Sequence, residues 1–292
     1  MAGRRLIDVH HLGVARAIGA YLLETRDGPA IVDCGPTTSL PGLEAGLDES
    51  GLSLADVRHL LLTHIHLDHA GGAGTIVREH PHVQVHVSEI GAPHLVDPTR
   101  LGTSARRLYG EDFDRLWGEL APVPAANVHV VGDDVLGLTC VPAPGHAYHQ
   151  VAYLDGEGTL YPGDACGVRI VPERLVLPPV PPPELDVEAW DATLDELERR
   201  APERLALTHF GVVDDVTEHV AQLRRRLHAW EAIVEGGASE EEFAAAVAAD
   251  TAAERGGADD AYRSATPPGA YAGLKRWVEK VKPSRSRASA SG

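Results

Sequence analysis

Leu60-Leu61-Leu62-Thr63-His64-Ile65-His66-Leu67-Asp68-His69 is the stretch on which the reading of this chain turns. Its apolar half reads as a buried strand, and its polar half begins where that strand leaves the core. Three imidazoles and a carboxylate then crowd together. Desolvating three bases side by side is costly without a shared partner, whereas neutral imidazole and carboxylate are the ligands a borderline divalent ion accepts. His64 and His66 stand two apart, so an extended backbone turns both to one side. Asp68 and His69 follow in a turn that leads through Gly71-Gly72 into a helix.

The same grammar recurs three times. The strand-like run Leu136 to Val141 ends in Pro144-Gly145-His146, Thr159 to Tyr161 ends in Gly163-Asp164, and Leu205 to Thr208 ends in His209-Phe210-Gly211. Strands that deliver ligand-type side chains into loops beside Gly or Pro describe a site along one edge of a sheet scaffold. The inventory is His64, His66, Asp68, His69, His146, Asp164 and His209. One tetrahedral zinc takes three protein ligands plus water, so this set is too large for a single ion. Two ions sharing a carboxylate fit the count. His64, His66 and His146 would hold the first, Asp68, His69 and His209 the second, and Asp164 would bridge them.

Thr-His-x-His-x-Asp-His-Ala-Gly-Gly, then Pro-Gly-His-Ala, Gly-Asp-Ala and Thr-His in that order, resembles the metallo-β-lactamase superfamily, over Leu6 to His209. Asp33 in Ile31-Val32-Asp33-Cys34-Gly35 matches its early Asp-x-Gly turn. The chain looks most like the glyoxalase II-like hydrolases. The resemblance implies an α/β fold, an αββα sandwich with a dinuclear site along one edge. It also implies two divalent metal ions, zinc foremost, with iron or manganese as alternatives. Such a pair would activate a water to attack an ester, thioester or lactone carbonyl. Asp68 would be both ligand and catalytic proton carrier. Asp33 would orient a ligand imidazole from behind, and His149, three residues past His146, would face the substrate or support a ligand.

Two redox branches of the superfamily compete. The diiron flavoprotein branch has an acidic residue in place of the second motif His, and His66 argues against it. The mononuclear-iron persulfide dioxygenase branch keeps the motif, and there His64, His146 and Asp164 would form a facial triad. In glyoxalase II a C-terminal helical region carries basic residues for glutathione. Here all the lysines, Lys275, Lys280 and Lys282, lie in that region, but no residue-by-residue match is evident.

The chain has 292 residues, 43% of them hydrophobic. That divides into a catalytic unit over 1–235, a helical extension over 236–282 and a disordered tail over 283–292. Strands are read at Leu6–Val9, Ile18–Thr25, Ala30–Asp33 and Val83–Val87, and helices at Leu40–Ser50, Gly72–Glu79, Asp186–Arg200 and Asp214–Val234. Ser239 with Glu242 three residues on predicts an N-capped helix to about Ala253. Residues Asp97 to Glu119 read as helical, with Tyr109, Phe113 and Trp117 in a packing stripe that could roof the site. Pro178, Pro179, Pro181, Pro182 and Pro183 form a stiff segment, either a wall of the pocket or a surface connector.

Cys34, Cys140 and Cys166 read as core fillers in a reducing compartment. Arg4-Arg5 invites comparison with a twin-arginine leader, but Asp8, His10 and His11 replace the apolar region such a leader needs. The chain is therefore expected to be cytoplasmic. A formal net charge of −17 opposes nucleic acid and anionic membrane. The expected partner is a small-molecule substrate, with self-association into a homo-oligomer left open. His80, His82 and His86 are read as surface groups. No role is given to His10, His11, His59, His94, His129, His219 or His228.

Overall fold

The computed structural model describes residues 4–254, 256–266 and 268–282. Among the described residues, twelve strands are arranged in two mixed sheets. The first runs in spatial order β1 (Arg5–Asp8), β2 (Gly19–Thr25), β3 (Gly28–Val32), β4 (His59–Leu61), β5 (Gln84–Val87) and β6 (Val128–Val130). It is antiparallel from β1 to β3 and parallel from β3 to β6. The second contains β7 (Asp134–Val135), β8 (Leu138–Pro142), β9 (Val151–Leu154), β10 (Thr159–Tyr161), β11 (Arg204–Leu207) and β12 (Gly211–Val213), in reverse order from β12 to β7. In that sheet only β10 and β11 pair in parallel.

The described helices are α1 (Leu40–Asp48), α2 (Leu67–Ala70), α3 (Ala73–Glu79), α4 (Ala92–Val96), α5 (Thr99–Tyr109), α6 (Phe113–Trp117), α7 (Val187–Arg199), α8 (Val216–Glu235), α9 (Glu240–Thr251), α10 (Asp259–Ala265) and α11 (Ala270–Arg276). Period-two alternation explains the layering. On β3, Ala30 and Val32 turn inward to meet Tyr153, Tyr161 and Ala206 of the opposite sheet, while Ile31 turns outward. Ile31 and Leu60 pack under Leu43 and Leu47 of α1 and Ile76 of α3. The outer face of the second sheet, with Leu160, Leu205 and Leu207, is covered by Leu197 of α7. The result is an αββα sandwich, as the resemblance implied.

The helices α9 to α11 share one core with α7, α8 and the proline-rich segment. Phe243, Tyr262, Leu274 and Trp277 pack with Trp190, Leu227, Trp230 and Val180. The capping box is present: the Glu242 amide donates to Ser239 Oγ at 3.2 Å and the Ser239 amide to Glu242 Oε2 at 2.8 Å. The strands β6, β7, β9 and β12 and the helix α10 have no counterpart in the sequence reading. Asp68 and His69 lie in the short helix α2 rather than in a plain turn. His86 is only half-buried, as expected for a sheet face, but its Nε2 meets His59 Nδ1 at 3.1 Å. The tail from residue 283 lies outside the described residues. Among the described residues no helix is long and apolar enough to cross a membrane.

The two sheets are stitched together where their strands end. Tyr153 donates its hydroxyl to the Leu62 carbonyl at 2.9 Å, and the Val151 amide donates to the Thr63 carbonyl at 2.8 Å. At the other side Tyr21 donates to Leu207 and the Gly19 amide to the Thr208 carbonyl, both at 2.8 Å. These bonds fix the loops after β4 and β11 against each other.

Candidate functional site

Those loops carry the residues singled out in the sequence, and the fold brings all seven of them together. The rings of His64 and His66 lie 4.6 Å apart, and His66 Nδ1 is 2.9 Å from His146 Nε2. One nitrogen from each of His64, His66 and His146 falls within 4.8 Å of the others. Asp68, His69 and His209 form a second such group, with His209 Nε2 at 3.3 Å from Asp68 Oδ2. Asp164 stands between the two: its Oδ1 is 3.2 Å from His69 Nε2, and its Oδ2 is 3.4 Å from His146 Nε2.

Three of the five imidazoles are aimed by a bond on the far side of the ring. His69 Nδ1 donates to Asp33 Oδ2 at 2.7 Å, His146 Nδ1 to the Pro179 carbonyl at 2.8 Å, and His209 Nδ1 to the Ala17 carbonyl at 2.6 Å. A proton held on Nδ1 leaves the Nε2 lone pair facing inward. Asp33 is the hub behind the site. It is wholly buried and accepts from the Thr63 amide at 2.9 Å, from the Thr63 hydroxyl and from the Thr208 hydroxyl at 3.0 Å. Its own backbone sits at φ 54°, a left-handed conformation that Asp tolerates better than most residues. Gly163 must lack a side chain, because a Cβ there would lie 2.4 Å from Thr63 Oγ1.

Electrostatics divide the cluster. Burial, reinforced by neighbouring imidazoles, pushes His64 well below the usual histidine range and His66 down to about 3. Burial opposes charge on His69 and His209 as well, but Asp164, Asp33 and Asp68 around His69 overcome it, and Asp164 and Asp68 do so at His209, so both are raised. Burial would likewise raise Asp68 and Asp164, yet the surrounding imidazoles hold both below the carboxylate range. Burial lowers His146 as well, so His64, His66 and His146 are neutral bases, while Asp68 and Asp164 stay ionised.

The decisive feature is what these atoms lack. His64 Nε2, His69 Nε2, His209 Nε2 and Asp164 Oδ1 are buried and have no hydrogen-bond partner. Buried polar atoms are ordinarily paired, and here the four are grouped about Asp164, whose Oδ1 lies 3.2 Å from His69 Nε2 and 3.5 Å from His209 Nε2, with His64 in the same cluster. That donor set, imidazole nitrogens and carboxylate oxygens without thiolate, fits a borderline divalent cation. The cysteines do not compete for it. All three are buried, and burial pushes Cys140 up to about 11 and Cys166 up to about 12.

A cavity of about 440 Å³ opens over Asp68, His66 and His146. Pro181, Pro182 and Pro183 form one wall, which decides between the two readings of that stretch. Leu101, Leu108 and Tyr109 of α5 form the roof. Tyr109 also packs edge-on against Trp117 at 5.0 Å, so the aromatic stripe serves packing and pocket together. His149 lies on the cavity. It accepts from the Ile65 amide at 3.4 Å through Nδ1, and its Nε2 lies 3.0 Å from Glu184 Oε2. Burial opposes charge on Glu184, but His149 holds its carboxyl down at about 2. Glu184 and His94, both on the cavity, were missed in the sequence; neither sits in a motif or at a strand end. His11 and His219 are buried core groups, bonded to Ser39 Oγ at 3.0 Å and, through Nε2, to the Cys166 carbonyl at 2.7 Å, with His219 Nδ1 unpaired.

The family model of the metallo-beta-lactamase superfamily matches residues 15–209. The chain is 31% identical over 149 residues to a hydroxyacylglutathione hydrolase of Xanthomonas campestris pv. campestris, covering 49% of this chain and 44% of that one. It is 29% identical over 156 residues to the Bacillus subtilis protein YobT, covering 52% and 63%. The chain thus spans less than two thirds of the length of these curated relatives. A metallo-beta-lactamase family protein from Thermus thermophilus superposes with a TM-score of 0.65 at 25% identity, covering 81% of this chain and 83% of that one.

Proposed function

Because the chain belongs to the metallo-beta-lactamase superfamily, we propose that it is a dinuclear metal-dependent hydrolase, glyoxalase II-like, acting on an ester, thioester or lactone. His64, His66 and His146 would hold one ion and Asp68, His69 and His209 the other, with Asp164 between them. The observation that carries this is the grouping of four buried donor atoms that lack hydrogen bonds about Asp164, which reaches both sets of imidazoles. When bound, two such ions supply Lewis acidity, lowering the pKa of water and polarising a carbonyl.

The chain's own residues do the rest. Asp33, Pro179 and Ala17 fix the donor tautomers of His69, His146 and His209. Asp68, with its side chain 22% exposed, is the more open of the two carboxylates, Asp164 being 4% exposed. Asp68 is thus the group placed to carry a proton between water and the departing oxygen or sulfur. The proline wall and the apolar roof exclude solvent and receive the acyl portion at little ordering cost. His149, tied to Glu184, lines the same cavity and would face the substrate.

Elemental analysis of protein purified without chelator, with an assay panel of thioesters, esters and lactones, tests the proposal. About two divalent ions per chain together with turnover of one class supports it. A single tightly held iron with sulfur-dioxygenase activity would replace it with the persulfide dioxygenase reading.

A further inference from the structure

The roof helix α5 has no buried residue, yet one of its faces lines the cavity over the site. Leu101, Ala105 and Leu108 form the apolar stripe of that face, and Arg100 and Arg107 flank it. Seven residues separate the two arginines, so they lie on the same side of the helix, about 10 Å apart along its axis.

Both arginines are exposed, and neither makes an ion pair or hydrogen bond among the described residues. Their neighbours do: Arg106 pairs with Asp114 at 2.8 Å and Arg115 with Asp112 at 2.9 Å. Asp97, whose carboxylate feels Arg100 through space, spends its own bonds on Thr99, at 2.6 Å to the hydroxyl and 3.1 Å to the amide. The carboxylates that share the cavity, Asp68, Asp164 and Glu184, each face imidazoles instead. In a chain of net charge −17, two exposed arginines without an ion pair among the described residues, both lining the cavity beside Leu101 and Leu108, are set apart from the general surface.

We infer that Arg100 and Arg107 read a second carboxylate on the substrate, so that the preferred substrate is an ester or thioester bearing an anionic group away from the scissile bond. This rests on the hydrolase reading and deepens it. Guanidinium presents a planar fork that matches a carboxylate in two parallel bonds. Leu101, Leu108 and the three prolines would take the aliphatic chain between that carboxylate and the scissile carbonyl. Hydrolysis adds water across the acyl–sulfur or acyl–oxygen bond, leaving the acid and the thiol or alcohol, so no further reactant is required.

The test uses metal-loaded protein and matched probes. These are the thiophenyl esters of hexanoate, of adipate through one end and of 6-phosphonohexanoate, with the hexanoyl ester of 4-mercaptobenzoate to place the charge on the leaving group. Wild type should favour the adipoyl probe over the neutral one by about tenfold or more in kcat/KM, carried by KM, as one charge-assisted bond supplies, and a preference shown only by the mercaptobenzoate probe would overturn the placing of the carboxylate on the acyl chain. R100Q/R107Q should remove that preference, and R100K/R107K should keep part of it.

Equal use of neutral and anionic probes, or a preference that survives in R100Q/R107Q, overturns the inference. A stronger preference for the phosphonate overturns the assignment to a carboxylate. Calorimetric binding of adipate against hexanoate gives a readout free of turnover. If wild type hydrolyses no probe but binds adipate about tenfold more tightly than R100Q/R107Q does, with no such difference for hexanoate, the anion pair stands and the hydrolase reading falls.

Discussion

Asp33→Asn is the sharpest probe of how this site is held. The carboxylate accepts from the Thr63 amide, the Thr63 hydroxyl, His69 Nδ1 and the Thr208 hydroxyl. An amide of the same shape offers one acceptor oxygen and presents two N–H groups on the other side. If the oxygen faces the Thr63 amide, the NH₂ confronts His69 Nδ1–H at a site where the carboxylate oxygen lies 2.7 Å away. His69 relieves that clash by moving its proton to Nε2, which turns an N–H into the metal site and removes the lone pair. If the amide flips, the Thr63 amide loses its acceptor instead. A buried donor left unpaired costs about 1–3 kcal/mol, so metal-free stability should fall by about that amount. Metal affinity should fall further, by about 10–100-fold or more, as partners behind a ligand histidine typically control. Zinc competition with a fluorescent chelator, beside urea denaturation in excess chelator, separates the two effects. A variant that binds zinc as tightly as wild type would refute the claim that Asp33 sets the His69 tautomer. Asp33→Ala tests the stability side, since it strands the Thr63, His69 and Thr208 donors at once and should cost about 3–5 kcal/mol, the scale of breaking a buried charged pair.

The same geometry makes three further outcomes testable. His66→Ala and Asp164→Ala should each abolish turnover while circular dichroism stays native, because the sandwich core lies behind the loops that carry them; near-normal turnover would remove that residue from the site. Replacing Pro181, Pro182 and Pro183 with Gly and Ser should raise KM and lower kcat without loss of metal, since the wall of the cavity loses its stiffness; unchanged kcat/KM would show that the wall does not position substrate. His219 is buried, donates to the Cys166 carbonyl, and has its pKa pushed by burial from 6.5 down to about 4. Between those values the unfolded chain binds more protons, so the contribution of neutral His219 is fully present above about pH 6.5 and lost as pH falls towards about 4. Urea midpoints of wild type and His219→Gln compared across that window should converge on acidification, and a constant gap would contradict the assignment.

The cluster of imidazoles and carboxylates was legible because its members follow the ends of apolar strands. Leu60 to Leu62, Thr159 to Tyr161 and Leu205 to Leu207 bury themselves by composition, and the residues after each of them must emerge at the sheet edge. Strands β6, β7 and β12 escaped because they are two or three residues long, too short for periodicity to register. Val151 to Leu154 escaped because its two-sided burial removes the alternation that marks a strand. Asp33 was found through a turn motif, but its four donors come from segments as far apart as Thr63 and Thr208, which no local pattern connects.

The sequence by itself determined the strand-end cluster of imidazoles and carboxylates and the capping of α9, because these arise from local periodicity, residue chemistry and spacing, and its motif set carried the family resemblance that implied the layered fold. Only the tertiary structure decided the pocket. Whether the proline stretch was wall or connector, whether α5 roofed the site, and that His94, His149, Glu184, Arg100 and Arg107 face the cavity all depended on how distant segments pack. The physical reason is one of range. A strand or a cap is stabilised by neighbours within a few residues, so its signal is written locally. A cavity exists only where separate surfaces fail to meet, and the residues that border it obey no common period.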